Sequence, residues 1–300
     1  GVLVVGGGPA GLECALALGQ RGYRVILAEA SAELGGRVSR ESRLPGLEEW
    51  GRVRDYRVLM LERLANVSIY RENPLSSDEI FEFSAEDQFD YSHVMLANGS
   101  SWRRNGLGRI HREPIPGLDK LKVFTPDDIM DGVIVKGRVV VFDDDHFYMG
   151  GVLAEKLRRE GHDVLLVTPA PDISTWTHKT LEQRKIQKQL MDLGVELATQ
   201  TALTAAETGK VELSCIFTER KIERECDSLL LVTERIPNDG LFNSLNGDPE
   251  RLTNAGIKTL KCIGDSFAPA TIASAVYSGH LAARELQAEP QEDVPFLRER

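Results

Sequence analysis

Two stretches of this chain place a run of consecutive apolar residues before a helical segment and follow it with a second apolar run. Val2-Leu3-Val4-Val5 is continuously hydrophobic, the pattern of a parallel strand covered on both faces. A glycine turn follows, then a predicted helix from about Pro9 to Gln20, with Pro9 suited to its start and Gly22 to its C-terminal cap. Val25-Ile26-Leu27-Ala28 reads as a second buried strand, ending at Glu29. The order recurs near residue 138: strand Val139-Val140-Val141-Phe142, a helix over Val152–Arg159 closed by Gly161, and strand Val164-Leu165-Leu166-Val167. Two β-α-β units with buried strands predict an α/β chain with two Rossmann-like domains.

Between these units the pattern loosens. Pro45, Pro74, Pro114, Pro116 and Pro126 punctuate it, which predicts connections and one short strand, Val94-Met95-Leu96-Ala97. Beyond the second unit, a helix from about Thr180 to Leu193 leads into a strand at Val195-Glu196-Leu197. Weak alternation over Thr201–Glu225 reads as a small antiparallel meander, and Leu229-Leu230-Leu231-Val232 as another buried strand. The chain then passes through Lys261-Cys262-Ile263-Gly264-Asp265 to a final helix, roughly Thr271 to Leu286, and a polar tail from Pro290 to Arg300.

The first glycine turn carries chemistry. Gly6, Gly8 and Gly11 have the G-x-G-x-x-G spacing between a strand and a helix, and Glu29 ends the next strand, 18 residues after Gly11 (29 − 11). Gly6 permits the tight turn, Gly8 lets backbone approach a pyrophosphate, and Gly11 brings helix close to sheet. The helix start offers unpaired N–H groups and a positive dipole end to the phosphates. Glu29 is placed to accept hydrogen bonds from both ribose hydroxyls, and its charge disfavours a 2′-phosphate. Gly35-Gly36 lies next in the chain, in Glu33-Leu34-Gly35-Gly36-Arg37: either an ordinary loop or, as in flavoproteins with two dinucleotide domains, which this stretch resembles, a point where the chain passes close to the nucleotide.

The second turn has lost this pattern. Its residues are Asp143-Asp144-Asp145-His146-Phe147-Tyr148-Met149-Gly150, about two residues longer, with only the last glycine kept. Three carboxylates lie where a pyrophosphate would sit, and at an effective dielectric of ~20 one like-charge pair near 4 Å costs roughly 4 kcal/mol. Phe147 and Tyr148 fill space that glycine leaves for a ligand, and the following strand ends in Thr168-Pro169, without a ribose acid. The expectation is that this domain takes no nicotinamide cofactor, and that the aspartates cap the helix and complement its dipole. Consecutive residues rarely converge on one ion, so a metal site at Asp143–His146 is not expected.

Composition narrows the class. The net charge of −10 argues against a nucleic-acid or anionic-membrane partner. Cys14, Cys215, Cys226 and Cys262 are scattered, with no CxxC pair or cluster spacing, and read as small core residues in a reducing compartment, the cytoplasm. No apolar run approaches a membrane span. The chain opens without Met on a core strand, which reads as a piece of a longer protein.

A further series is more specific: Leu44-Pro45-Gly46-Leu47-Glu48-Glu49-Trp50, Arg54-Asp55-Tyr56, Met95-Leu96-Ala97-Asn98-Gly99-Ser100-Ser101-Trp102, the degraded second turn, and Ile263-Gly264-Asp265-Ser266-Phe267-Ala268-Pro269. Over nearly its whole length the chain resembles the C-terminal half of the trimethylamine, dimethylamine and histamine dehydrogenases and the related N-methylproline demethylases. The resemblance implies two Rossmann-like domains of the glutathione-reductase type, the second inserted into the first. The expected bounds are 1–125 and 236–290 for an FAD/ADP-binding domain, 126–235 for a degenerate NAD(P)-binding-like domain, and 291–300 for the tail.

The resemblance also implies an N-terminal (β/α)8 barrel with FMN, an amine site and a [4Fe-4S] cluster, an electron-transferring flavoprotein as acceptor, and a homo-oligomer at full length. None of the barrel is in this chain, which carries no recognisable catalytic residue. Carried over position by position, the nucleotide-binding residues are Gly6, Gly8, Gly11, Glu29, Gly36, Ala97, Gly99, Gly264 and Asp265, for FAD or ADP. Asp265 matches the family's ribityl-binding acid, with a cap on the closing helix as the alternative. Asn98 departs from the usual Ala-Thr-Gly. His280 and Tyr277 read as packing residues, and Trp102 either as a groove lining or as a packed loop. Competing functions are an NADPH-dependent dienoyl-CoA-reductase-like flavoenzyme, which needs a working second turn, and a non-catalytic ADP-binding module.

Overall fold

The computed structural model describes residues 1–84 and 89–288, so the expected tail at 291–300 lies outside the described residues. In chain order the first elements are β1 (Val2–Val5), α1 (Pro9–Gln20), β2 (Val25–Ala28), α2 (Arg37–Glu41), α3 (Arg52–Leu61), β3 (Val67–Tyr70), α4 (Ser77–Ser84) and β4 (His93–Leu96). Then come β5 (Ser100–Trp102), β6 (Lys122–Phe124), α5 (Pro126–Met130), β7 (Val139–Asp143), α6 (Met149–Arg159), β8 (Val164–Val167), α7 (Gln183–Asp192) and β9 (Glu196–Ala198). The meander is β10 (Thr201–Glu207), β11 (Lys210–Cys215) and β12 (Lys221–Glu225). Last are β13 (Ser228–Val232), β14 (Arg235–Pro237), α8 (Gly240–Asn246), α9 (Pro249–Asn254), β15 (Thr259–Cys262) and α10 (Ile272–Glu285).

The chain forms two compact units. The first comprises Gly1–Ser39, Gly51–Gly99 and the described part of Pro237–Arg300; the second comprises Arg40–Trp50 and Ser100–Ile236. Residues 40–50 and 100–125 thus cluster with the second unit, whereas the sequence reading puts them in the first. The reason is pairing: β6 lies parallel to β13, and Leu44, Leu47 and Trp102 are buried in the second unit's core.

In the first unit a parallel sheet of order β15-β4-β1-β2-β3 is built from the apolar runs, with β1, β2 and β4 buried along their whole length. Helix α1 is rich in Ala and Gly and buried over most of its surface, which lets it lie between the sheet and helices α3 and α10. Ala275, Gly279, Ala282 and Ala283 form the facing stripe of α10. A Cβ on Gly279 would stand 2.1 Å from the carbonyl oxygen of Ala10, so this helix pair is closer than any side chain there allows.

The second unit has a parallel sheet of order β6-β13-β7-β8-β9, with α6 packed against β7 and β8, and the three-stranded meander β10-β11-β12. Two cores flank this sheet, one holding Val139, Val141, Leu153 and Leu157, the other Phe142, Leu165, Leu203 and Leu213. The stretch read as loose connections contains α3, β3 and α4. These escape a pattern reading because α3 fully buries only Leu61, and because β3 is an edge strand alternating half-buried with exposed positions. No described helix is long and apolar enough to cross a membrane.

Candidate functional site

The first glycine turn connects β1 to α1. Gly6 has φ of +104° and its N–H bonds the Ala28 carbonyl at 2.8 Å. A Cβ on Gly11 would stand 1.9 Å from the Gly6 carbonyl oxygen, so the helix can start this close to the strand only with glycine. At Gly8, by contrast, a Cβ would meet nothing within 4 Å: the turn opens there. Gly8 is the N-cap of α1, with no side-chain cap and no acidic residue in the first turn. The first helical bond runs from Leu12 N–H to the Gly8 carbonyl at 2.9 Å. Pro9 has no N–H, so Ala10 and Gly11 present theirs beyond the helix end, where the dipole is positive.

Glu29 is 9% exposed and anchored beside this turn. Its Oε2 accepts the Gly7 N–H at 2.6 Å, and its Oε1 accepts the Ser31 N–H at 2.8 Å and hydroxyl at 2.6 Å. The Gly35 N–H bonds the Gly7 carbonyl at 2.7 Å, and Gly36 lies against the Cα of Gly8. Leu34 packs on Gly7 and also lines a cavity of about 300 Å³ with Arg54, Val58 and Arg71. Ala97 touches the turn at Gly6 and Gly11, and Gly264 packs on Ala10. Gly99, with φ of +72°, closes the β4 end, its carbonyl accepting the Asn238 N–H at 2.9 Å. The structure thus brings Gly6, Gly8, Gly11, Glu29, Gly36, Ala97 and Gly264 together, with Gly99 and Asp265 on the adjoining strand ends. Open space over Gly8 and the acceptor-free helix start fit a diphosphate.

Several expectations are corrected here. Asp265 does not cap the closing helix: Thr271 does, accepting the Ser274 N–H at 3.2 Å, while Asp265 accepts the Ala270 N–H at 3.1 Å. Tyr277 is 65% exposed, because the inner stripe of α10 is made of small residues; His280 reaches Glu13 at 2.8 Å. Trp102 is buried in the second unit's core. Of the cysteines, Cys14 and Cys226 are buried, their thiols pushed up by burial to about 12 and about 11. Cys215 and Cys262 are only partly buried, and hydrogen bonding from Thr218 lowers the Cys215 thiol. The residues that sequence reasoning missed include Ser31 and Leu34, which carry no motif; Asn98, at the departure from Ala-Thr-Gly, has a buried Oδ1 with no hydrogen-bond partner.

The second turn is closed. Asp143 is fully buried; its Oδ1 accepts the N–H groups of Asp145 at 3.1 Å and His146 at 3.0 Å. Burial, and then the neighbouring Asp145, push its carboxyl up to about 7. Asp144, also fully buried, accepts the N–H of Arg109 and, at 2.9 Å, that of Ile110. Burial likewise raises Asp145 above the usual carboxylate range, against the pull of Arg235 and Arg109. The expected capping role is therefore wrong for Asp143 and Asp144. The N-cap of α6 is Tyr148, which makes no side-chain cap bond, because the longer loop turns the carboxylates back onto its own backbone and onto residues 109–110. Phe147, Tyr148 and Trp50 stack edge to face at 5.0 and 5.2 Å between ring centres. Among the described residues no group of three or more His, Cys, Asp or Glu is placed to hold a metal ion.

Comparison with known proteins bears on this geometry. The family model for pyridine nucleotide-disulphide oxidoreductases matches residues 1–259. Dimethylamine dehydrogenase of Hyphomicrobium sp. (strain x) is 35% identical, over 99% of this chain and 43% of its own length. The structure of histamine dehydrogenase from Rhizobium sp. 4-9 superposes with a TM-score of 0.95 at 46% identity, covering 99% of this chain and 46% of that one. That of 6-hydroxypseudooxynicotine amine oxidase from Pseudomonas geniculata N1 gives 0.90 at 41% identity, covering 96% of this chain and 42% of that one. The chain thus spans less than half the length of these relatives, all of them oxidoreductases by name.

Proposed function

Because the chain belongs to the pyridine nucleotide-disulphide oxidoreductase family, we propose that its first unit is the FAD/ADP-binding domain and holds the ADP moiety of FAD, or ADP itself. The observation that carries this is the pairing of an open, uncapped helix start at Gly8 with a buried carboxylate at Glu29. The Ala10 and Gly11 N–H groups receive the phosphates, and the remaining lone pairs of Glu29 accept the ribose hydroxyls. The cavity beside Leu34 leaves room for the adenosine. Gly36, Ala97 and Gly99 let backbone approach the nucleotide, and Gly264 and Asp265 flank whatever extends beyond the diphosphate. When FAD is bound, its flavin supplies the redox chemistry.

The second unit, on this proposal, is a dinucleotide fold out of use. Buried carboxylates and stacked aromatic rings occupy its turn, which disfavours the NADPH-dependent dienoyl-CoA-reductase-like alternative. The full-length protein is an iron–sulfur flavoprotein that oxidises small amines, with FMN and [4Fe-4S] in an N-terminal barrel and electrons leaving to an electron-transferring flavoprotein. Its relatives' names, two amine dehydrogenases and an amine oxidase, support the substrate class.

Denaturing the purified protein and identifying what it releases tests the first site. A visible flavin band means FAD and adenine absorbance alone means ADP, and Glu29→Ala should retain less of either. Release of neither, together with no measurable binding of either to the wild type, would refute the assignment.

A further inference from the structure

In an open parallel sheet, ligands bind beyond the carboxyl ends of the strands at the point where the strand order reverses. In the second unit that point lies between β7 and β13, the strands followed by Asp144 and Thr233. A piece of the unit's own chain already sits there. Gly108 is so close that a Cβ on it would stand 2.4 Å from Asp144 Oδ2 and 3.2 Å from Thr233 Cβ. The next two N–H groups, of Arg109 and Ile110, both point at Asp144 Oδ2. Two successive backbone N–H groups on one oxygen form the kind of concavity that elsewhere receives a phosphate. The Arg109 guanidinium lies 4.4 Å from the centre of the Trp176 ring, which fixes the segment's outer side.

We infer that residues 106–111 form a strap that occupies the second unit's nucleotide crevice from within, with the Asp144 carboxylate as the anion clamped by the strap's N–H groups. The loss of glycines is then only part of why this unit excludes a dinucleotide: the crevice is filled by chain. The inference deepens the reading of this unit as a dinucleotide fold out of use, and rests on it for the ligand excluded.

Hydrogen exchange of the Arg109 and Ile110 amides, read by mass spectrometry on the intact chain, tests it. In the wild type both are protected, and NADH or NADPH at millimolar concentration leaves their exchange unchanged. Asp144→Ala removes a charge-assisted acceptor and speeds their exchange ~10-fold or more, whereas Asp144→Asn keeps a carbonyl oxygen in place and retains most of the protection. Exchange in Asp144→Ala equal to wild type would overturn the clamp. A change in these amides on adding either nucleotide to the wild type would overturn the strap as fixed occupant, and needs no variant to fold. Nucleotide bound with no change at these amides would support the strap and count only against the reading of the unit.

Discussion

The buried carboxyl of Asp143 gives this protein a pH dependence that one substitution removes. Asp143 is fully buried, its Oδ1 takes two backbone N–H groups, and its Oδ2 has no hydrogen-bond partner. Its carboxyl titrates at about 7 in the folded state against 3.8 for the free side chain. A raised carboxyl favours the folded state when protonated, so its contribution is complete below about 3.8 and is lost as pH rises through about 7. The difference of about 3 units, at ~1.36 kcal/mol each, is worth ~4 kcal/mol at most. Asp143→Asn keeps the acceptor oxygen for the Asp145 and His146 N–H groups but does not titrate. The stability of the variant relative to wild type should therefore rise between about pH 4 and pH 7, by up to ~4 kcal/mol, and level off above. Urea unfolding at fixed pH values measures it, followed by tryptophan fluorescence: Trp50, Trp102 and Trp176, the chain's three tryptophans, all belong to the second unit. Parallel stability–pH curves for the two proteins over this range would refute the reasoning.

Two further expectations separate binding from folding. Gly8→Ala should change stability by less than ~0.5 kcal/mol, because its Cβ meets nothing in the chain, yet weaken nucleotide binding as measured by calorimetry. Gly11→Ala should lower the melting temperature itself, since its Cβ would overlap the Gly6 carbonyl. A triple variant with glycine at 143, 145 and 148 should show no NADH oxidation, because Thr168 still supplies no ribose acid and the segment around Gly108 still fills the crevice; steady-state assay of the purified variant checks this.

Both β-α-β units were legible because their evidence is local. Val2–Val5 and Val139–Phe142 are uninterrupted apolar runs, and the run of glycines from Gly6 to Gly11 encodes its geometry within six residues. Glu29 was legible for the same reason, standing at the end of the adjacent strand. The features that stayed hidden depend on distant partners. Asp144 finds its N–H donors 34 and 35 residues upstream, so nothing near it distinguishes a helix cap from a clamp. Tyr277 reads as a core residue on an amphipathic helix until the small stripe Ala275-Gly279-Ala282 is seen to be the face that packs.

The two units differ in where the edge strand of each sheet comes in the chain. Both sheets have the same arrangement, with β15, β4, β1, β2, β3 matching β6, β13, β7, β8, β9 in order. In the first unit the edge strand β15 follows β4 in the chain, is entered through α8 and α9, and leads into Gly264-Asp265 and α10. In the second unit the edge strand β6 comes first, so the chain must enter through residues 100–121 before the sheet begins. That entering segment is the one that holds Gly108, Arg109 and Ile110 against Asp144. On our inference, the segment that precedes β6 thus supplies the chain that closes the second crevice, with Asp144 as the group that fastens it. Restoring a nucleotide site in this unit would therefore require rerouting the entry segment as well as rebuilding the turn.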